Sequence, residues 1–134
     1  MKALWLSLTA LVCLSVAALA QLNRPRLQYH RANEVTVRGT VVEVRDITRV
    51  GTPHGTYLIL KTPTDTLSVH LGPRRWAAKG RSALSAGDPV EVVGCLVRPG
   101  ESPILLAREV RKAGTVLTFR NVQGFPISGR RQAP

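Results

Sequence analysis

From Thr66 to Leu71 the chain alternates strictly, with Leu67, Val69 and Leu71 on one parity and Thr66, Ser68 and His70 on the other. A period of two buries one side only as a β-strand, since a helix would scatter these apolar residues around its circumference. The stretch Thr56 to Thr62 repeats the pattern, Leu58 and Leu60 opposing Tyr57, Ile59 and Lys61. Pro63, Thr64 and Asp65 between them make a turn, so the two segments read as a hairpin with one apolar and one mixed face.

A break in parity lies upstream. Val35 and Val37 fall on one parity, Val42 and Val44 on the other. One strand holding both pairs needs an extra residue between them, and Gly39 is the expected place for a bulge or sharp bend. A long first strand bent at glycine is a device for closing a small barrel.

The remaining elements follow from punctuation. Gly51, Pro53 and Gly55 mark Arg49 to Gly55 as a loop. Pro73 to Leu84, with proline near its start and Ala77, Ala78, Ala83 and Leu84 inside, is the one convincing helical stretch after the N-terminal segment; Gly80 makes it short or broken. The string Leu84 to Val92, with Gly87 and Pro89, is a turn feeding a fourth strand that ends at about Val97, and strands near 103–111 and 115–120 complete the set. The expected fold is therefore mainly β: a five- to six-stranded OB-like Greek-key barrel over residues 34–120, with one short helix between strands three and four.

Several strings carry a resemblance to a known group. Gly39-Thr40-Val41-Val42-Glu43-Val44, Val69-His70-Leu71-Gly72-Pro73, Gly87-Asp88-Pro89-Val90-Glu91-Val92-Val93-Gly94 and Leu106-Ala107-Arg108-Glu109-Val110 look like those of small secreted bacterial OB-like domains, similar ones occurring in magnetosome-associated envelope proteins. The resemblance covers roughly residues 34–127. It implies an OB-like fold and a place in the cell envelope. The group's closing Gly-x-Pro-aromatic step is replaced here by Gly124-Phe125-Pro126-Ile127.

Composition sharpens location more than function. Residues 1–20 carry Lys2, an apolar run and Ala18-Leu19-Ala20, the layout of a secretory signal peptide cleaved after Ala20. The expected location is periplasmic or secreted, with no transmembrane segment after cleavage. Cleavage removes Cys13 and leaves Cys95 alone in the string Val92-Val93-Gly94-Cys95-Leu96-Val97, which suits a buried strand thiol. Residues 21–33, with Arg24, Arg26 and Arg31, read as a flexible basic lead-in, and 121–134 as a Gly/Pro/Arg-containing tail.

Net charge is +11, from 19 Lys+Arg against 8 Asp+Glu. Arginine dominates, and its forked guanidinium suits phosphate, sulfate and carboxylate groups. No Gly-x-Ser-x-Gly motif, phosphate-binding loop or paired carboxylates stand out, so catalytic residues and cofactors are not expected. The leading expectation is a non-enzymatic binding module for an anionic polymer or an envelope protein. Its surface would be the outer face of strands two and three with the adjoining loops: Tyr57, Lys61, His70, Arg74, Arg75 and Trp76. Nucleic acid is a less suited partner, because few aromatics are available for base stacking. The alternative is a metal or redox accessory domain using His54, His70 and Cys95, although no close-spaced ligand pair supports it. A third reading is an assembly domain whose edge strands meet partner proteins.

Overall fold

The computed structural model describes residues 28–127. The expected signal peptide, residues 21–27 of the lead-in and residues 128–134 of the tail lie outside the described residues. A 3-10 turn at Arg31–Asn33 leads into β1 (Glu34–Ile47), β2 (Gly55–Lys61), β3 (Thr66–Gly72), helix α1 (Arg74–Ser82), β4 (Pro89–Val97), β5 (Ile104–Lys112) and β6 (Thr115–Thr118). The mainly β expectation and the helix between the third and fourth strands hold. Six strands form one sheet in the order β3-β2-β1-β4-β5-β6, antiparallel between neighbours, and β3 also pairs in parallel with β5. That last pairing joins β3, β2, β1, β4 and β5 into a closed circuit of hydrogen-bonded strands, with β6 outside it.

One long strand serves two partners. The first half of β1, Glu34 to Thr40, pairs with β4, and Thr40 to Ile47 pairs with β2. The parity break is real, but its place differs from expectation: the register shifts between Val41 and Glu43, so Val42 is the bulged residue and stands exposed. Inward positions are then Val37, Val41 and Val44. Gly39 serves another purpose. A Cβ there would come within 2.4 Å of the Lys61 carbonyl oxygen, so its bare backbone lets β1 pass close to the end of β2 where it changes partner.

The main core lies inside the circuit. Val41, Leu58, Leu60, Val69, Leu71, Val92, Leu105, Val110 and Phe119 pack together there, and α1 covers one end through Ala77. Gly80 of α1 faces Phe119: a Cβ would meet the ring at 2.4 Å, which explains a glycine in a nine-residue helix. Cys95 is buried on β4, as its apolar string suggested.

A second, smaller cluster sits on the other side of the sheet. Tyr57, Ile59, Ile104 and Leu106 form it, with Tyr29, Ile47 and Val97 packed against them. Strand β2 is therefore apolar on both faces, and the mixed outer face expected for Tyr57, Ile59 and Lys61 is closed over along most of its length. The lead-in and tail contribute to this cover. Tyr29 lies against Gly124, whose φ of +89° and lack of a side chain allow the approach. Asn121 Oδ1 accepts from the backbone N–H groups of Gln123 and Phe125, folding residues 121–127 back onto the sheet.

Candidate functional site

Loop 48–54 between β1 and β2 folds across the outer cluster and is held from below. The Tyr57 hydroxyl donates to the Pro53 carbonyl at 2.6 Å, and the His70 Nε2 lies 3.1 Å from the His54 carbonyl oxygen. The two rings meet edge to face, centroids 5.0 Å apart. This pinning splits the outer face into two depressions, one on each side of Pro53.

The larger is a groove of about 720 Å³ between loop 48–54 and the β4–β5 turn. Tyr57, Ser68 and Ile104 form its floor, Arg45, Arg49 and Thr52 one lip, and Glu101, Ser102 and Pro103 the other. Arg45 pairs with Glu43 at 3.1 Å, both well exposed, an interaction of little strength in water. Arg49 and Glu101 have no ion pair among the described residues. The lips thus differ in sign, and the floor offers an aromatic ring and aliphatic carbon.

The smaller depression, about 440 Å³, lies on the other side of Pro53 and is lined by Tyr29, Pro53, His70, Leu106, Arg120 and Phe125. Its floor holds a buried polar pair. His70 is 6 % exposed and Arg120 3 %. Arg120 Nη2 lies 2.6 Å from His70 Nδ1, and Nη1 donates to the carbonyls of His70 and Ala107 at 2.9 and 2.7 Å. A guanidinium can only donate, so Nδ1 accepts and the imidazole proton resides on Nε2, directed at the His54 carbonyl. Burial, with the adjacent guanidinium adding to it, pushes the imidazole down to about 4. Burial also brings Arg120 down to about 10, which leaves it a cation at neutral pH.

The structure does not assemble the expected outer surface. Tyr57 is 1 % exposed and belongs to the cluster; burial pushes its phenol up to about 12. His70 is likewise enclosed, as the loop and the tail cover the face on which alternation places it. Lys61 remains exposed but sits at the far end of β2, six residues or about 20 Å of extended strand from the Gly55 end where α1 begins. Arg74, Arg75 and Trp76 are on α1, Arg74 paired with Asp46 at 3.2 Å and Trp76 43 % exposed. Among the expected residues, only Tyr57 lines the groove.

The metal alternative meets a geometric obstacle. Both imidazole nitrogens of His70 are engaged, His54 reaches it only through a backbone carbonyl, and Cys95, on β4 rather than β3, donates weakly to the carbonyl of its chain neighbour Leu96. Among the described residues no group of three His, Cys, Asp or Glu side chains is placed to hold a metal ion. Arg120 is what sequence reading missed. It stands in the string Thr118-Phe119-Arg120-Asn121 as an ordinary surface arginine would, and only the return of the tail buries it.

A mainly β protein built on one sheet, with an outer face covered by loops and two depressions beside Pro53, is the class these features define. Residues 33–117 match the MamS/MamX magnetosome protein family, well over half of the 134 residues, and the chain belongs to that family. No curated protein matches the chain. Among the described residues no helix is long and apolar enough to cross a membrane.

Proposed function

We propose that the chain is a non-enzymatic, OB-like binding module of the cell envelope that serves magnetosome formation by holding an anionic or protein partner in the groove beside loop 48–54. Membership of a magnetosome family supports the setting. The strand circuit β1-β2-β3-β5-β4, with a helix between β3 and β4, supports an OB-like Greek key. The signal-peptide layout of residues 1–20 supports export to the periplasm or beyond.

The observation that carries the reading is the groove's position. OB-type barrels take extended ligands across strands two and three, between the loop joining strands one and two and the loop joining strands four and five. The groove here is framed by those same segments, with Arg45 and Arg49 on one lip. Its two serines, Ser68 and Ser102, have no histidine beside them in the groove lining, which favours binding over hydrolysis.

Affinity for two probes tests this: a heparin-derived hexasaccharide and an acidic dodecapeptide, each titrated at low and high salt. Arg45→Ala together with Arg49→Ala should weaken at least one probe fivefold or more, while Arg74→Ala with Arg75→Ala changes it less than twofold. The reverse ranking, or no saturable binding of either probe, overturns the assignment.

A further inference from the structure

The depression on the other side of Pro53 poses a separate question, because the arginine in its floor lacks a counter-charge among the described residues. The chain has 8 Asp+Glu, all between Glu34 and Glu109 and so all among the described residues, and no ion pair joins any of them to Arg120. Six of them serve other cations: Glu34, Glu43, Asp46, Asp88, Glu91 and Glu109 pair with arginine or lysine elsewhere. Arg120's partners among the described residues are neutral, an imidazole and two carbonyls. A buried cation left without compensation is strongly unfavourable, by several kcal/mol as an order of magnitude.

Part of its role is structural. The parallel pairing of β3 with β5 covers only Ser68–His70 against Ile104–Leu106, and Arg120 Nη1 bridges the His70 and Ala107 carbonyls just beyond. A neutral amide could make such a bridge without the charge. A guanidinium has five N–H donors, and two of Arg120's, one on Nη2 and the one on Nε, find no acceptor among the described residues. No buried side-chain nitrogen is left without a partner among those residues. The unpaired Nε–H is therefore not sealed in the interior, and the depression that Arg120 lines is the opening it can address.

Tyr29, Pro53, Leu106, Phe125 and Pro126 supply the carbon of the other walls, with Gln28, His30 and Gln123 also lining the depression. Such a site has one cation, two vacant donor directions and an apolar enclosure. We propose that it binds a carboxylate carried on an apolar or aromatic body, the carboxylate seated against the Arg120 guanidinium and the body held between Phe125, Tyr29 and Pro53. A carboxylate matches this floor in charge and in its two-oxygen geometry. A phosphate dianion would call for a second permanent cation, whereas Arg120 is the one lysine or arginine among the described residues lining the depression, and His70 Nδ1 already accepts from it. The natural ligand would be a small aryl or alkyl carboxylate.

The experiment follows amide shifts of the full chain titrated with phenylacetate, phenylacetamide and inorganic phosphate. Phenylacetate should give saturable shifts at residues 28–30, 70 and 120–126, with the neutral amide and the phosphate at least tenfold weaker. Arg120→Lys, which keeps charge but loses the fork, should weaken phenylacetate tenfold or more. Should that variant not fold, Phe125→Ala decides: Phe125 is largely exposed, so the fold survives, and affinity should fall at least threefold. Equal response to phenylacetamide, absence of saturation, or shifts confined to residues 45–52 would overturn the proposal. Its failure would leave the groove assignment intact, since that groove is lined without His70, Arg120 or Phe125.

Discussion

Acid should weaken the fold before the ion-paired carboxylates of Glu34, Asp46 and Asp88 take up protons, and His70 is the reason. Unfolded, this imidazole takes a proton near 6.5; folded, it resists down to about 4, because burial and Arg120 oppose the charge. The folded value is the lower one, so the unfolded state binds more protons between these limits, and stability falls as pH falls through them. At about 1.4 kcal/mol per pH unit the whole window is worth about 3 kcal/mol, of which about 2 kcal/mol is lost between pH 7 and pH 5. Against domain stabilities of about 5–15 kcal/mol that is a large fraction. Glu34, Asp46 and Asp88 are held below the ordinary carboxylate range, chiefly by hydrogen bonds from Arg108, Thr56 and Lys112, so their loss belongs to still lower pH. Urea unfolding followed by circular dichroism should show the midpoint dropping by about 1 M from pH 7 to pH 5, for a urea slope of about 2 kcal/mol per M. His70→Gln removes the titrating group and should flatten this dependence whatever it does to stability at pH 7. An unchanged wild-type midpoint, or a variant with the wild-type slope, would refute the reasoning.

Further outcomes follow from the packing. Gly80→Ala should destabilise by about 1–3 kcal/mol in urea unfolding, although helix propensity alone would stabilise by about 1 kcal/mol, because the new methyl would stand 2.4 Å from the Phe119 ring. Glu34 accepts from the Arg108 guanidinium and from the Tyr29 hydroxyl. Glu34→Gln leaves a largely enclosed Arg108 short of charge, with an expected loss of about 1–3 kcal/mol by the same assay. In a Cys13→Ser background the Cys95 thiol should react with an aromatic disulfide reagent at least a hundredfold more slowly in the native state than in urea, since it is buried. Leu58→Ala, at a fully buried central position, should cost about 2–5 kcal/mol in thermal or urea unfolding.

The elements were legible because each announced itself within a few residues. Alternation marked β2 and β3, proline and alanine marked α1, and glycine–proline clusters marked the loops. The site was less so, for a reason visible in β2. A strand with Tyr57 and Ile59 opposite Leu58 and Leu60 reads as half-exposed if one face is assumed to meet water, yet residues distant in sequence, Ile104, Leu106 and Tyr29, cover that face. Local patterns carry no record of such long-range covering. The same holds for Arg120, whose burial depends on Asn121 turning the tail back, and for the bulge, where valine parity located the break only to within a few residues. Gly39 attracted the bulge on propensity, whereas its role is the close passage beside Lys61.

The binding face is tested most directly by a backbone amide shift map of the folded chain titrated with the heparin-derived hexasaccharide. Shifts that saturate, cluster at residues 45–52, 57, 68 and 99–104, and weaken with added salt are the expected result. Saturable shifts centred on Lys61, Arg75 and Lys79 instead, with the groove silent, would contradict it.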